Sequence, residues 1–498
     1  MSQSFSLEGY QLAPGVAAAG AAATTARAKT KRLWSRKVAS DIIGFCEALV
    51  VVAGGLLPTA VYAAAGAITP AWTIVIQSSL VAALIYRMSL SSAGMYDADR
   101  ANDFGNRPTQ MVGSLIFAVV VAISLGAPQQ LDLASTAIWL CLWIAASYAG
   151  LILVRTVAAD VMATLMAQGH FDERIAVYGA GHIARRVNDH LLNPALGLRF
   201  VGVYDSRETP NRINPEGLMV AGGLDDLVQA CQEGRIDRII IALPQIAERR
   251  VNDIARKFED LSVNLHIVTH MSSDYCSAGR KHAVSQLGPV GLMDIKEKRH
   301  AGWAPVVKRA EDIVIGAVVA LVVAPVIPLI ALAIKADSPG PVLFRQCRRG
   351  LNQRVFEVLK FRTMSVMEDG IDVRQATTND PRVTAVGRIL RRTSLDELPQ
   401  LWNVLYGDMS LVGPRPHAMV HDEKFGQMVE TYANRHQMKP GVTGLAQVSG
   451  YRGETTTNES VEARVSYDLE YIRKWSFWLD LKIIIFTMWA IVIGTNAK

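Results

Sequence analysis

The sequence predicts a membrane α-helical bundle joined to α/β structure: four transmembrane helices, then a small doubly wound domain, then a C-terminal monotopic domain with a re-entrant membrane helix. Three observations lead there. Of 498 residues 50% are hydrophobic and only 19% charged, with a mean hydropathy of +0.20, too apolar for an ordinary soluble chain and long enough for several domains. Long apolar stretches crowd the first third, while β-branched runs alternate with charged helical patterns in the middle. A last apolar run is broken by prolines and followed by a basic region.

Residues 1–38 are Ala/Thr-rich and end in Arg27, Lys29, Lys31, Arg32, Arg36 and Lys37, which reads as a flexible basic leader. They lack the compact apolar core and cleavage site of a removable signal, so the first apolar stretch is expected to stay as an anchor. Over 39–156 four stretches, near 42–65, 70–88, 111–127 and 134–154, are each about long enough to cross a hydrocarbon core of ~30 Å. Arg87, Arg100 and Arg107 lie at or between the ends of the second and third stretches, and the other two loops carry no Lys or Arg. Positive charge accumulates on the cytoplasmic side, so the path runs in-out-in-out-in and returns to the cytoplasm at Arg155.

Segments 111–131 and 133–154 contain no Asp, Glu, Lys, Arg or His to line a polar path, which argues against a polysaccharide exporter or flippase. Glu47 is the residue that keeps that alternative open. The formal charge of +6 is modest, and basic residues gather beside the apolar segments, as suits anionic lipid headgroups and not nucleic acid. Five scattered cysteines (Cys46, Cys141, Cys231, Cys276, Cys347) show no zinc spacing and read as reduced thiols.

Residues 170–296 form the α/β domain, with strands expected at Arg174–Tyr178, Phe200–Tyr204, Arg238–Leu243 and Val263–Val268, and a linker containing Gly288-Pro289 and Gly291 behind them. Gly179-Ala180-Gly181-His182-Ile183-Ala184 follows a strand and opens a helix, and Asp205 ends the next strand. This formal dinucleotide fingerprint makes the domain Rossmann-like and Gly179, Gly181 and Asp205 possible nucleotide ligands. It also supports a competing reading, an NAD-dependent nucleotide-sugar-modifying membrane enzyme. Against that reading, the chain has no Tyr-x-x-x-Lys pair.

Within 303–498, the run 313–334 carries no charge for 22 residues, and Pro325 and Pro328 sit near its middle. Each proline removes a backbone donor and clashes with the preceding turn, so a sharp bend is expected there. Lys308 and Arg309 flank one side, Lys335, Arg345, Arg348 and Arg349 the other, so both ends read as cytoplasmic. A helix spanning 312–335 that enters one leaflet and leaves on the same side satisfies this; a kinked spanning helix is the alternative.

From Gly340 to Val420 there are 12 Lys/Arg against 8 Asp/Glu, an excess of +4. Guanidinium groups fork onto phosphate oxygens, although a basic face beside anionic lipid needs no substrate at all. Among these cations stand Asp396 and Glu397, in Ser394-Leu395-Asp396-Glu397-Leu398-Pro399-Gln400. Ser394 to Glu397 also matches a helix capping box, yet Pro399 falls where an interior helical donor would be lost, so a break near the acidic pair is expected. Carboxylates near a helix start and arginines are kept ionised and can serve as nucleophile and metal ligand. Gly413-Pro414-Arg415-Pro416 and Pro440-Gly441-Val442-Thr443-Gly444 read as rigid turns. Trp475, Phe477 and Trp478 ahead of the apolar run Ile483–Ile493 suggest an interfacial helix.

Lys360-Phe361-Arg362-Thr363-Met364, Ser394 through Gln400, Asp408 through Pro416 and Pro440 through Gly444 occur in this order. Together they resemble the bacterial sugar transferases, the monotopic polyprenyl-phosphate phosphoglycosyl transferases, over about 303–498. The preceding bundle and α/β domain look like those of the large members that initiate exopolysaccharide or capsule assembly. The resemblance implies transfer of a sugar 1-phosphate from a UDP-sugar, glucose first, to undecaprenyl phosphate with release of UMP and a requirement for Mg²⁺. It implies Asp396 as nucleophile, Glu397 as a Mg²⁺ ligand, and Lys360, Arg362, Arg391 and Arg415, between Pro414 and Pro416, as groups that hold phosphates or position the pair. Arg348 fits the family's Gln-x-Arg-x-Gly pattern through Gln346 and Gly350, with Cys347 at an often acidic site. The break at Pro325 looks like the family's re-entrant helix, and a homodimer on the bacterial inner membrane, catalytic face to the cytoplasm, is expected.

Overall fold

The computed structural model describes residues 35–66, 70–96, 108–124, 133–191, 198–207, 217–243, 248–269, 284–287, 290–296, 302–365, 380–451 and 457–493. The chain separates into two units, one over Arg32–Asp172 and one holding the sheet and the C-terminal third.

In the first unit the Ser35 side chain accepts the Val38 amide at 3.3 Å, so α1 (Arg36–Ala64) starts inside the segment that charge alone marks as leader. Residues 1–34 lie outside the described residues. α2 (Trp72–Ser92), α3 (Pro108–Ser124) and α4 (Leu133–Ala167) follow. Among the described residues α1, α2 and α4 are long and apolar enough to cross a membrane; α3, with 17 residues, is shorter, and α4 continues well beyond the end of its apolar stretch.

Trp139 and Trp143 of α4 are buried against α1, donating to Thr59 Oγ1 at 3.0 Å and to the Val51 carbonyl at 3.1 Å. Leu57, Val61, Leu80, Leu84 and Leu153 face outward instead, the arrangement of a bundle that sits in an apolar medium. Glu47, the acid that left a transport path conceivable, is fully buried, paired with Arg155 Nε at 2.6 Å and accepting a hydrogen bond from the Tyr96 hydroxyl. It works as an internal tie between helices.

In the second unit β1 (Glu173–Tyr178), α5 (His182–Leu191), β2 (Leu198–Tyr204), β3 (Val220–Gly222), α6 (Leu224–Gln232), β4 (Arg238–Ile241), α7 (Glu248–Lys257), β5 (Asn264–Thr269), β6 (Val284–Leu287) and β7 (Val290–Lys296) build one sheet. Its strand order is β3-β2-β1-β4-β5-β7-β6, with β1 to β5 parallel and β6 and β7 antiparallel at one edge. Ile239, Ile240 and Ile241 are all buried, as a strand covered on both faces requires. The stretch read as linker contributes strands: β7, which holds Gly291, pairs with β5, and β6 pairs with β7, while Gly288-Pro289 lies outside the described residues.

The C-terminal third begins with α8 (Ala304–Val323) and α9 (Val326–Asp337), bent by 59° at Ala324-Pro325. Pro325 caps α9, and Pro328 sits in its first turn, where a missing amide hydrogen costs little; the bend therefore belongs to the first proline alone. Val314, Val318, Leu321, Leu329 and Leu332 project outward. Lys308 and Arg309, expected as flanking charges, turn inward: Lys308 reaches Asp480 at 2.5 Å, and Arg309 donates to the Val404 and Leu405 carbonyls at 2.7 and 2.6 Å.

Beyond them run the hairpin β8 (Leu343–Arg349) and β9 (Val355–Phe361), then α10 (Ala385–Thr393), α11 (Gln400–Tyr406), β10 (Ser410–Val412), α12 (Met419–Met428), β11 (Gly441–Thr443), α13 (Leu445–Val448), α14 (Asn458–Lys474) and α15 (Phe477–Ile493). α15 has the expected aromatic start, with Trp478 exposed. Val404, Met409, Val412, Tyr471, Ile472 and Ile483 form the core beneath the site.

Candidate active site

Ser394 ends α10 in the left-handed region (φ 59°, ψ 16°) and passes the chain into a 3-10 turn over Leu395–Glu397. No side-chain cap forms there, so the capping box is not made and the Glu397 carboxylate turns elsewhere. Pro399 then caps α11, the break expected from its position.

Glu397 is the centre of a cationic fork. Lys360, from β9, donates to Oε1 at 2.9 Å; Arg415 donates through Nη2 to Oε1 at 2.5 Å and through Nη1 to Oε2 at 3.2 Å. Burial alone would push this carboxyl up, but Arg415 and Lys360 overcome burial and hold it well below the usual range. The same burial lowers the Lys360 ammonium, and Glu397 raises Arg415.

Asp396 stands one residue earlier, outside the fork and partly buried. Burial pushes its carboxyl above the usual value, with Lys360, Arg391 and Arg415 opposing and Glu397 reinforcing the shift. Cations are expected to favour the charged form of both acids; at Asp396 the net shift runs the other way, because the strong hydrogen bonds go to Glu397 and the pull that remains at Asp396 is weaker than desolvation.

The other sequence candidates divide. Arg391 Nε donates to Thr363 Oγ1 at 3.0 Å within reach of the acidic pair's field. Arg348 donates to the Pro416 carbonyl and to Gln346 Oε1 at 2.6 Å; burial and Arg415 push it down to about 10. Arg362 does not join the cluster. Buried, it caps the end of α9 through the carbonyls of Ser338 at 2.6 Å and Pro339 at 2.5 Å.

The two rigid turns meet. β10 pairs in parallel with β11, Ser410 opposite Gly441 and Val412 opposite Thr443, and the Pro414 carbonyl accepts the Gly441 amide at 3.0 Å. A Cβ on Gly413 would lie 2.5 Å from the Lys439 carbonyl oxygen, and one on Gly441 would lie 2.1 Å from the Gly413 nitrogen, so both glycines are there for backbone approach. The result fixes Arg415 between Pro414 and Pro416.

Sequence reasoning missed the support behind that turn. Arg435 is buried and donates through Nη2 to the Arg415 carbonyl at 2.5 Å and to Asp468 Oδ2 at 2.7 Å, and through Nη1 to the Tyr432 hydroxyl at 3.0 Å. His417 lies among Arg435, Arg464 and Tyr432, and burial with the two arginines keeps it far below its usual value, a neutral acceptor. Arg435-His436 just ahead of Pro440 is the sequence signal that could have pointed here.

Among the described residues no three His, Cys, Asp or Glu side chains are placed to share a metal ion. A carboxylate offers about four lone-pair positions, and the Lys360 and Arg415 bonds leave one on Glu397 Oε2. That fits an ion whose other ligands come with a phosphorylated substrate.

In the sheet, Gly179 has φ 108°, and a Cβ there would meet the Ala242 carbonyl oxygen at 2.8 Å; Gly181 opens α5 with nothing near it. Asp205 is turned inward, accepting from the Ala180 amide at 3.0 Å and from Arg207 Nη2 at 2.7 Å. It closes the loop on itself, in place of the exposed carboxylate that a ribose would need.

A buried glutamate held by two cations beside a second acid, in a chain with a bent apolar helix pair, marks a membrane-associated transferase for phosphorylated substrates. The chain belongs to the bacterial sugar transferase family, as one of its large polyprenyl-phosphate glycosyl-1-phosphate transferases. The family model described as bacterial sugar transferase matches residues 303–494, and one described as a CoA-binding domain matches 91–269. The chain is 41% identical over 352 residues to the UDP-glucose:undecaprenyl-phosphate glucose-1-phosphate transferase of Escherichia coli (strain K12), covering 70% of this chain and 74% of the relative. A protein of the same name from Caulobacter vibrioides (strain ATCC 19089 / CIP 103742 / CB 15) is 54% identical over 190 residues, 38% of this chain and 71% of that one. An N-acetylgalactosaminephosphotransferase of Aeromonas hydrophila is 37% identical over 193 residues, 39% and 45% of the two chains.

Proposed function

We propose that the chain transfers a sugar 1-phosphate from a UDP-sugar, glucose first, to undecaprenyl phosphate, giving undecaprenyl-diphosphate-sugar and UMP, and so initiates exopolysaccharide or capsule synthesis. The observation that carries this is the division of labour in the acidic pair: Glu397 locked and ionised by Lys360 and Arg415, Asp396 beside it outside the fork. Asp396 attacks the phosphorus next to the sugar, the bond to the UMP oxygen breaks, and an aspartyl phosphosugar forms; an oxygen of undecaprenyl phosphate then attacks that phosphorus and frees the carboxylate. Arg415 and Lys360 hold Glu397 in place and present positive charge to the diphosphate; Arg348 and Arg391 add to that field. Glu397 would hold Mg²⁺ together with the diphosphate, and the ion would supply charge neutralisation there.

The names of the relatives support glucose, with N-acetylgalactosamine as the variation within the family. In this reading α8 and α9 enter and leave one leaflet as a re-entrant pair, supported by the 59° bend and the outward apolar residues, while α1 to α4 cross the bacterial inner membrane. The catalytic part then faces the cytoplasm, where UDP-sugars are found, the α/β part is a Rossmann-like domain, and the protein works as a homodimer.

The test is to incubate purified protein with Mg²⁺, undecaprenyl phosphate and a panel of UDP-sugars and to measure UMP. UMP release with one donor, with radiolabelled sugar retained on the protein when the lipid is omitted, is the expected result. Absence of UMP with every donor would sink the reading.

A further inference from the structure

Two of the elements that build the cationic fork end on the same short turn of the α/β domain. The tip of the β8–β9 hairpin carries Asn352 and Gln353, both in the left-handed region at φ 55° and 58°, which residues other than glycine seldom adopt. Both side chains are used across the domain boundary. Asn352 Oδ1 accepts the Ser262 amide at 2.7 Å, and Gln353 Nε2 donates to Asp260 Oδ2.

The 3-10 turn Tyr432–Gln437 docks on the same place: Gln437 Nε2 donates to the Glu259 carbonyl at 2.7 Å. That turn also contains Arg435, which holds the Arg415 carbonyl. The receiving turn is itself stiffened from behind, because Lys296 at the end of β7 donates to the carbonyls of Phe258 and Glu259 at 2.7 Å each and of Leu261 at 2.5 Å.

The hairpin is a lever from this seat to the site. Arg348 lies near its tip on β8, and Lys360 near the far end of β9, about 20 Å along the strand at ~3.3 Å per residue. A paired two-stranded ribbon passes a displacement of its tip along to both residues.

We propose that residues 259–262 of the α/β domain are a positioning element of the transferase: by seating the β8–β9 tip through the Gln353–Asp260 bond, and the Arg435 turn through Gln437, they set Lys360, Arg348 and Arg415 around Glu397. The inference rests on the transferase reading above but makes a contact, not a catalytic group, its subject.

The Gln353–Asp260 pair permits a swap. Gln353→Glu replaces the donor with a carboxylate facing Asp260, while Gln353→Glu with Asp260→Asn restores one donor and one acceptor with the roles exchanged. In the full-length enzyme in lipid, Gln353→Glu lowers kcat about tenfold with KM little changed, and the double variant recovers to within about twofold of the parent. Amide exchange of residues 343–361 rises in the single variant and returns in the double, and this readout does not depend on the substrate assignment. Unchanged turnover and exchange in Gln353→Glu, or a loss that Asp260→Asn fails to repair, overturns the proposal. A parent enzyme that releases no UMP while the exchange pattern behaves as stated contradicts the transferase reading alone.

Discussion

At the residue scale the acidic pair shows how one environment drives two neighbours apart. Asp396→Asn removes the proposed nucleophile and lowers turnover by about a thousandfold or more. Because burial makes the Asp396 charge costlier in the folded protein than in the unfolded chain, that substitution should also raise the unfolding temperature at neutral pH, which a thermal melt would show; a lower Tm with residual turnover contradicts both roles. The raised carboxyl carries a kinetic signature as well. The acid limb of the kcat/KM profile should lie above the ordinary aspartate value of about 3.9, since the rate falls as the pH drops through the raised value. Glu397 has the opposite sign. Its folded value lies below the unfolded value of about 4.3, so its stabilisation is complete above that pH and drains away as the pH falls through the lower folded value. Glu397→Gln leaves the partly buried Lys360 and Arg415 without their counter-ion, and a loss of about 1–3 kcal/mol in a denaturant titration is expected.

At the element scale, the paired turns and the helix break carry the consequences. Gly441→Ala puts a methyl group into the Gly413 backbone, so β10 and β11 must separate and the Arg415 turn with them. A destabilisation of about 1–3 kcal/mol, with a larger loss in turnover than in fold, is the expected outcome by melting and UMP assay. Pro325→Leu restores an amide and removes the ring clash, which favours a straight α8–α9. Under the re-entrant reading the straightened segment spans the membrane, so a tag placed just after Asp337 becomes accessible from the opposite side, and a tag that stays on the original side argues for another cause of the bend. Several elements were legible early: the bend at Pro325, the strand–glycine–helix succession at Gly179 and the break at Pro399 are local consequences of backbone chemistry. β6 and β7 were not, because four or seven residues of mixed polarity declare no preference until β5 offers an edge to β7 and β7 offers one to β6.

At the scale of the whole molecule, chelation should stop turnover while leaving the melting curve unchanged, because among the described residues no set of side chains holds a metal by itself; unfolding on chelation would point to a structural ion instead. What the amino-acid sequence determined alone is the inventory: apolar helices, a doubly wound α/β segment, a broken hydrophobic run and the motif order from Lys360 to Gly444, all properties of composition and near-neighbour spacing. What tertiary structure decided is which charges meet. Arg362 and Lys360 are two residues apart and would share a face in a continuing strand, yet they diverge, one to cap α9 and the other to hold Glu397, because β9 ends at Phe361 and the alternation stops before Arg362. Arg435, distant from both in the chain and silent as a motif, becomes the support of Arg415 only because β10 and β11 pair. Coulombic and hydrogen-bond energies depend on a few ångströms and on burial, and neither is written in residue order.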